Sequence, residues 1–337
     1  MQRHHLPLLA CPECLGDLGL DSVTEAEGDA VLEGELRCAA CASAYPVRGG
    51  IPRFVPAANY ASGFGLQWNT HARTQYDSAN GTRISETRFF AQTRWPRSLT
   101  GEHVLEVGSG SGRFTEIIAA TGATVVSLEY STAVDANAAS NGRRPNVLIV
   151  QGDLYRMPLR PASFDRVVCI GVLQHTPDVK RSFLTLPRYL RPGGHLAIDI
   201  YRRPRGIRRL FNTRYWVRPL TRRIRPDRLY RMTSAYVRGM WPLARQIGRI
   251  PKLGRRLNWM LLIGSYHGMY DLSDDQMREW AVLDTFDMLA PAYDEPQDIE
   301  TVRAWFEEAG LAEAEVAFGY NGIEGRGRRP ALRGEAS

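Results

Sequence analysis

The stretch Val104-Leu105-Glu106-Val107-Gly108-Ser109-Gly110-Ser111-Gly112-Arg113-Phe114 decides the fold. A short apolar run enters three glycines at alternate positions, and a helical pattern begins directly behind them. Glycine suits so tight a strand-to-helix turn because it enters left-handed backbone conformations without steric cost and lets a ligand come close to the main chain. The helix start adds unpaired N–H groups and a positive dipole end, which together favour a carboxylate or another anion. The spacing is G-x-G-x-G, not the G-x-G-x-x-G expected of dinucleotide sites, and a glycine loop alone is weak evidence.

Outward from this loop, β-rich runs alternate with helical patterns. The runs His103–Val107, Thr124–Glu129, Val147–Gln151, Phe164–Ile170 and His195–Ile200 are short, apolar and bounded by Gly, Asp or Pro. Helices are expected at Arg113–Thr121, Thr132–Asn141 and Asp178–Leu190, then at Pro296–Ala309, followed by a strand at Ala314–Phe318. Alternation of this kind predicts βαβ units and a doubly wound, Rossmann-like α/β fold around a mostly parallel seven-stranded sheet. Three acids fall at the carboxyl ends of strands, where open α/β sheets bind ligands. Glu106 precedes the loop and suits an ammonium group. Glu129 lies about 20 residues past the glycines, where an acid accepts hydrogen bonds from ribose hydroxyls. Asp153, in Gln151-Gly152-Asp153-Leu154, suits an exocyclic amine.

The segment Glu106–Arg113, the strand-end Glu129, the Gly152-Asp153-Leu154 tripeptide, Phe164-Asp165-Arg166-Val167-Val168 and the Arg191-Pro192-Gly193-Gly194 turn resemble, in order, the motifs of class I, type-11-like S-adenosylmethionine-dependent methyltransferases. The resemblance covers roughly residues 60–320. It implies S-adenosylmethionine as cofactor and S-adenosylhomocysteine as product. By position, Glu106 and the backbone of Gly108, Ser109, Gly110 and Gly112 hold the methionine part, Glu129 with Tyr130 the ribose, and Asp153 with Leu154 the adenine. Val172, in the loop after the fourth strand, and Gln67, in the upstream stretch Phe64-Gly65-Leu66-Gln67-Trp68, complete the expected cofactor contacts. Tyr60 and Trp68 belong to the same upstream region; packing of that helix on the sheet is the plain alternative. A dehydrogenase, or an unliganded α/β domain with solvated strand-end acids, is the bland competitor.

Methyl transfer from a sulfonium needs mainly alignment and exclusion of water, with a base only for acceptors of high pKa. His175, in Gly171-Val172-Leu173-Gln174-His175-Thr176-Pro177, is the candidate general base; packing against the cofactor, or capping the next helix, is its alternative role. His267, Tyr270, Asp287 and Tyr293 are expected as wall or surface residues.

At the N-terminus, Cys11-Pro12-Glu13-Cys14 and Cys38-Ala39-Ala40-Cys41 stand 23 residues apart. Two such knuckles present four thiolates, the set for a closed, tetrahedral, structural zinc site. About 50 residues bury too little to fold unaided, which a metal remedies. With Tyr45-Pro46-Val47 and Gly50-Ile51-Pro52, the segment resembles small zinc-ribbon proteins that partner methyltransferases or are fused to them. Cys169, alone in an apolar run, is expected in the core.

The net charge of +7 is unevenly spread. Between Arg202 and Arg256 lie seventeen Arg, Lys252 and the single acid Asp227, a stretch of +17 that leaves −10 for the rest. The expected organisation is therefore a zinc ribbon at 1–56, a helical linker and cofactor lid at 57–100, and the cofactor domain at 101–200 and 261–330. An Arg-rich helical insertion at 201–260, after the fifth strand, forms a substrate lid. Interleaved with Phe211, Tyr215, Trp216, Tyr230, Tyr236 and Trp241, the arginines admit four readings: solvated helix faces paired with acids elsewhere, a site for an anionic or carrier-linked small molecule, an anionic membrane surface, or RNA. The run Gly319–Arg328 and Phe64–Trp68 resemble methyltransferases of polysaccharide and secondary-metabolite pathways, which favours a small-molecule or saccharide acceptor. A ribosomal or transfer RNA methyltransferase is the alternative, and a non-enzymatic partner protein with the same fold is a third reading. No run of about 18 apolar residues is present, so no transmembrane helix is expected, and the paired C-x-x-C spacing, more that of a metal site than of disulfides, fits a cytoplasmic protein.

Overall fold

A computed structural model of the protein describes residues 1–56, 58–206 and 211–331. Arg208 and Arg209 of the basic segment lie outside the described residues. Four antiparallel strands come first, β1 (Leu18–Glu27), β2 (Ala30–Cys38), β3 (Ala44–Arg48) and β4 (Ile51–Pro52), paired in that order. β1 is exposed along nearly its whole length, so this ribbon owns a core of only a few side chains, Val31, Leu36 and Val47 among them. Helices α1 (Ser62–Thr70), α2 (Asp77–Asn80) and α3 (Ile84–Thr93) follow.

The central sheet then forms. Its parallel part is β5 (His103–Val107), β6 (Thr124–Glu129), β7 (Val147–Gln151), β8 (Phe164–Cys169) and β9 (Leu190–Ile200), with α4 (Arg113–Ala120), α5 (Val134–Asn141) and α6 (Val179–Thr185) in the crossovers. An insertion of four helices follows β9: α7 (Arg214–Thr221), α8 (Pro226–Gly248), α9 (Gly254–Met260) and α10 (Asp274–Leu289). The chain returns through α11 (Ile299–Glu308) to β10 (Ala312–Gly319) and β11 (Gly322–Arg328), and β11 pairs antiparallel with β9. The seven-stranded order is β10-β11-β9-β8-β5-β6-β7, so the strand order reverses between β5 and β8. Open sheets of this kind bind ligands at that switch point.

Two expected elements differ in detail. The helix expected over Asp178–Leu190 ends at Thr185 and gives way to a 3-10 turn, Leu186–Tyr189, at Pro187, which has no N–H to continue an α-helix. The Arg191-Pro192-Gly193-Gly194 turn is drawn into β9 as an irregularity: Gly193 has φ +79°, and the pairing with β8 slips between Phe164 and Arg166.

The ribbon is not a satellite. Val31, Leu36 and Val47 share one apolar cluster with Leu128, Val150 and Leu159 of the sheet domain. The backbone N–H of Ala10 donates to Pro158, and that of Arg160 to Leu8. Arg53, just past β4, forms a parallel bridge with Gln151, so the ribbon lies along β7, the outer edge of the large sheet. An unpaired edge is an aggregation hazard, and the ribbon covers part of this one. In the insertion, α8 packs on α10 through Val237, Trp241 and Ala244 against Met277, Ala281 and Val282. A capping box, Ser273 with Gln276, starts α10. Among the described residues no helix is long and apolar enough to cross a membrane.

Candidate active site and four-cysteine cluster

The carboxyl ends of the parallel strands open into a cavity of about 470 Å³. The floor is Gly108–Ser111 after β5, Glu129 and Tyr130 at the end of β6, Gly152 and Leu154 after β7, and Ile170–Val172 with His175 after β8. Phe64, Gln67 and Trp68 of α1 form one wall. Arg214, Trp259, Tyr266, Tyr270, Trp280, Asp284 and Asp287 of the insertion form another, with Tyr320–Gly322 between β10 and β11.

The glycines divide the labour. At Gly108 φ is +77°, and a Cβ there would stand 2.3 Å from Val172 Cγ2. At Gly110 φ is +54°, and a Cβ would meet Trp68 Nε1 at 3.0 Å. Gly112 faces away from the cavity; its missing Cβ makes room for Asn137 Oδ1, so this glycine serves the packing of α4 on α5. Glu129 Oε2 accepts the Gly110 N–H at 3.0 Å and Oε1 accepts the Ser131 N–H at 2.8 Å. The carboxylate is thus pinned by two amides at the rim of the cavity.

Three expected contact residues do not line the cavity: Glu106, Gly112 and Asp153. Glu106 lies beneath the loop, where it accepts from Thr115 Oγ1 at 2.5 Å and Ser127 Oγ at 3.4 Å, with Asn137 bridging both hydroxyls and Ser109. Burial pushes its carboxyl up to about 8 in the absence of a cationic ligand, which favours the protonated form there. Asp153 Oδ1 is occupied by the Tyr155 N–H at 2.8 Å. Gly108, Ser109, Gly110, Glu129, Tyr130, Leu154, Val172, Gln67 and His175 do come together.

His175 Nδ1 is 3.0 Å from the Tyr293 carbonyl. A carbonyl only accepts, so Nδ1 carries the proton and Nε2 of the neutral ring is left as an acceptor. Phe64 and Tyr201 hold the ring, with centroids 5.3 and 5.4 Å away. Among the other expected wall residues, Tyr270 and Asp287 line the cavity, Tyr293 contributes that carbonyl, and His267 bonds to Ser265 Oγ and lies outside.

The deeper compartment was not anticipated. Gln75 bridges Arg113 and Asp284: its Oε1 accepts from Arg113 Nη1 and its Nε2 donates to Asp284 Oδ1 at 3.3 Å. Tyr266 OH donates to Asp284 Oδ2 at 2.6 Å, and Gln67 Nε2 to Asp287 Oδ1 at 3.3 Å. Burial pushes the Asp284 carboxyl up to about 7 and raises that of Asp287. Arg113 has no ion pair among the described residues; burial, then the nearby Arg88, pulls its guanidinium down to about 10. Arg88 itself is neutralised by buried Asp199 at 2.9 Å. Arg214 donates to Tyr215 OH, while its buried Nε has no partner. Two signals were present in the sequence. Arg113 directly follows the glycine loop, and Asp284 precedes Asp287 by three, which puts both on one face of α10.

Away from the cavity, Cys11, Cys14, Cys38 and Cys41 bring four sulfurs within 4.8 Å of one another. The closest pairs are Cys14–Cys38 at 3.5 Å and Cys11–Cys41 at 3.6 Å. Tetrahedral ligation with Zn–S bonds of about 2.3 Å requires S···S edges near 3.8 Å, so the set fits that metal. Gly16 belongs to the arrangement, since a Cβ there would lie 3.2 Å from Cys14 Sγ and 3.3 Å from Cys38 Sγ. Cys169 is buried in the sheet core.

Residues 105–198 match the family described as "Methyltransferase domain". This is a methyltransferase domain. Residues 2–50, ahead of it, match the family described as "Trm112p-like protein". The chain is 29% identical over 155 residues to the demethylmenaquinone methyltransferase of Renibacterium salmoninarum, covering 43% of this chain and 62% of that one. It is 31% identical over 150 residues to the ubiquinone biosynthesis O-methyltransferase of Idiomarina loihiensis, covering 41% and 61%. The chain thus spans about three-fifths of the length of these relatives. A phosphoethanolamine N-methyltransferase of Haemonchus contortus with bound S-adenosyl-L-methionine overlaps 79% of this chain and 47% of that one, at 16% identity and a TM-score of 0.42. The matched part of the methyltransferase domain ends within β9, before the helical insertion.

Proposed function

We propose that the protein transfers a methyl group from S-adenosylmethionine to a small, anionic acceptor with an apolar or aromatic body. The observation that carries this reading is the single cavity that runs from the glycine loop and Glu129 into the compartment of Arg113, Arg214, Tyr266, Tyr270 and Trp280. One end suits a nucleoside with a charged tail; the other is aromatic and holds two cations, Arg113 and Arg214, whose side-chain partners among the described residues are the neutral Gln75 and Tyr215.

When bound, the cofactor supplies an electrophilic methyl on a sulfonium. The residues of this chain bind, orient and exclude water around it. Glu129 accepts from the ribose hydroxyls, the amides and the dipole at the start of α4 face the cofactor carboxylate, and Tyr130, Leu154, Val172 and Gln67 border it. Arg113 and Arg214 hold the acceptor's anionic group. His175 Nε2 receives the acceptor's proton, and the Nδ1 bond to Tyr293 fixes the ring for that task. Glu106, Gly112 and Asp153 act from behind, by shaping the loops. The segments 57–100 and 201–260 serve as cofactor and substrate lids. The four cysteines hold a structural zinc, whose positions are all taken by protein.

RNA is the weaker reading, because Arg113 and Arg214 line the cavity below the protein surface and are not among the exposed arginines. The test is incubation of purified protein with methyl-labelled S-adenosylmethionine and a cell extract divided into small-molecule, RNA and protein fractions. Label is expected among small molecules, and label in RNA alone overturns this acceptor class.

A further inference from the structure

Water meets an unusual surface on the outside of the insertion. Ten of the fifteen exposed large apolar side chains among the described residues fall within residues 211–269. Single exposed apolar residues mean little, but a cluster marks a protein or membrane contact. On α7, Trp216 is 61% and Leu220 67% exposed, four residues apart and therefore on one stripe. On α8, Met232, Tyr236 and Leu243 recur at helical spacing on the face opposite the buried Val237–Trp241–Ala244 side. Two hydrogen bonds tie these stripes together: Tyr236 OH donates to the Leu261 carbonyl at 2.5 Å, and Thr213 Oγ1 to the adjacent Met260 carbonyl at 2.8 Å.

Charge decides between the occupants. Several arginines of the segment are spoken for: Arg203 and Arg205 pair with Asp298, and Arg218 is buried against the Met288 and Pro291 carbonyls. Arg222, Arg223, Arg228, Arg238 and Arg256 are exposed and have no acidic partner within 4.0 Å among the described residues. Beside the aromatic Phe211, Trp216 and Tyr236, the patch is mostly aliphatic, with Leu220, Met232, Leu243, Ile250, Leu253 and Leu261, and bases do not stack on such side chains, which favours lipid over nucleic acid. Aliphatic and aromatic side chains set among unpaired arginines suit the boundary between acyl chains and anionic headgroups, where both kinds of group are satisfied.

We propose that the outer face of α7, α8 and α9 docks on an anionic lipid bilayer. Trp216, Leu220, Met232 and Leu243 enter the headgroup boundary and the unpaired arginines lie on phosphate. Arg214 and Trp259, which line the cavity, neighbour Thr213 and Met260 in the chain, so docking brings one wall of the cavity next to the lipid. That last consequence rests on the methyl-transfer reading; docking itself does not.

The test is flotation of the full chain with phosphatidylcholine vesicles, with or without phosphatidylglycerol, and circular dichroism as the folding control. Flotation is expected with phosphatidylglycerol and not with phosphatidylcholine alone. The double variant Trp216→Ser/Leu220→Ser, at largely exposed positions, is expected to lower partitioning by about 10-fold or more with an unchanged circular dichroism spectrum, and Arg222→Gln/Arg223→Gln to weaken it and blunt its salt dependence. Absence of flotation with phosphatidylglycerol overturns the proposal. So does flotation unchanged in Trp216→Ser/Leu220→Ser, or a dimer in solution that the same variant dissociates, which would make a second copy the occupant. Failure of methyl transfer with flotation intact would count only against the enzymatic reading.

Discussion

Glu129 Oε2 accepts the N–H of Gly110 at 3.0 Å, so the acid at the end of β6 and the middle glycine of the β5 loop form one unit. Oε1 is held by Ser131, and Gln151 Nε2 donates to the carbonyls of Tyr130 and Ser131 at 3.3 Å each. Gln151 in turn takes Arg53 Nη1 at 2.9 Å. A chain of hydrogen bonds therefore runs from the end of the ribbon to the rim of the cofactor pocket.

Gly108→Ala tests the loop. The substitution places a methyl group 2.3 Å from Val172 Cγ2 at a residue with φ +77°. The backbone term alone costs roughly 1–2 kcal/mol, and the contact with Val172 adds to it. Gly171→Ala, also at positive φ but with nothing within 4 Å of the new Cβ, isolates the backbone term. Thermal denaturation is expected to show a larger fall in Tm for Gly108→Ala; equal falls contradict the crowding.

The buried Glu106 gives the cofactor-free protein a defined pH dependence. Its carboxyl is pushed up to about 8 by burial, above its unfolded value near 4.3. The folded state thus binds this proton more tightly. The contribution to stability is fully present below the unfolded pKa and is lost as pH rises through about 8. Glu106→Gln keeps a neutral side chain that still bonds Thr115 and Ser127. Its Tm is expected to fall less than that of the parent between about pH 6 and about pH 9. Parallel curves contradict a protonated Glu106.

His175→Gln separates the two roles open to that side chain. A general base contributes about 10²–10⁴-fold to turnover. With such a role, turnover falls by that factor while S-adenosylhomocysteine affinity stays within about 2-fold. Lost affinity with turnover otherwise preserved assigns His175 to packing against the cofactor.

Removal of metal is expected to act beyond the ribbon. The cysteine cluster organises strands that share a core with β6 and β7 and reach Gln151 through Arg53. Elemental analysis is expected to find one zinc per chain, and Cys38→Ser or chelation to lower Tm and weaken cofactor binding together. Protein that carries no zinc and keeps its Tm after chelation contradicts the structural-metal reading.

Much of the fold was legible because strand signals and glycine turns are local. β5, β6 and β7 begin and end where the apolar runs do, and the glycine loop falls between β5 and α4. What sequence missed depends on contacts distant in the chain. Glu106 was legible as a strand-end acid, but its partners Thr115 and Ser127, which come from α4 and β6, were not. Arg113, Gln75, Asp284 and Tyr266 come from four separate elements or loops, and no spacing rule joins them. The exposed stripe on α8 has helical periodicity too, and only the packing of Val237 and Trp241 on α10 reveals which of its faces is covered.

The central claim is tested most directly by calorimetric titration of the purified protein with S-adenosylhomocysteine, alongside Glu129→Ala. One site per chain is expected. Loss of the charged hydrogen bonds at Glu129 is expected to weaken binding by about 1.5–3 kcal/mol, or roughly 10- to 150-fold. Absence of binding by both S-adenosylhomocysteine and S-adenosylmethionine, or unchanged affinity in Glu129→Ala, would contradict the assignment of this cavity.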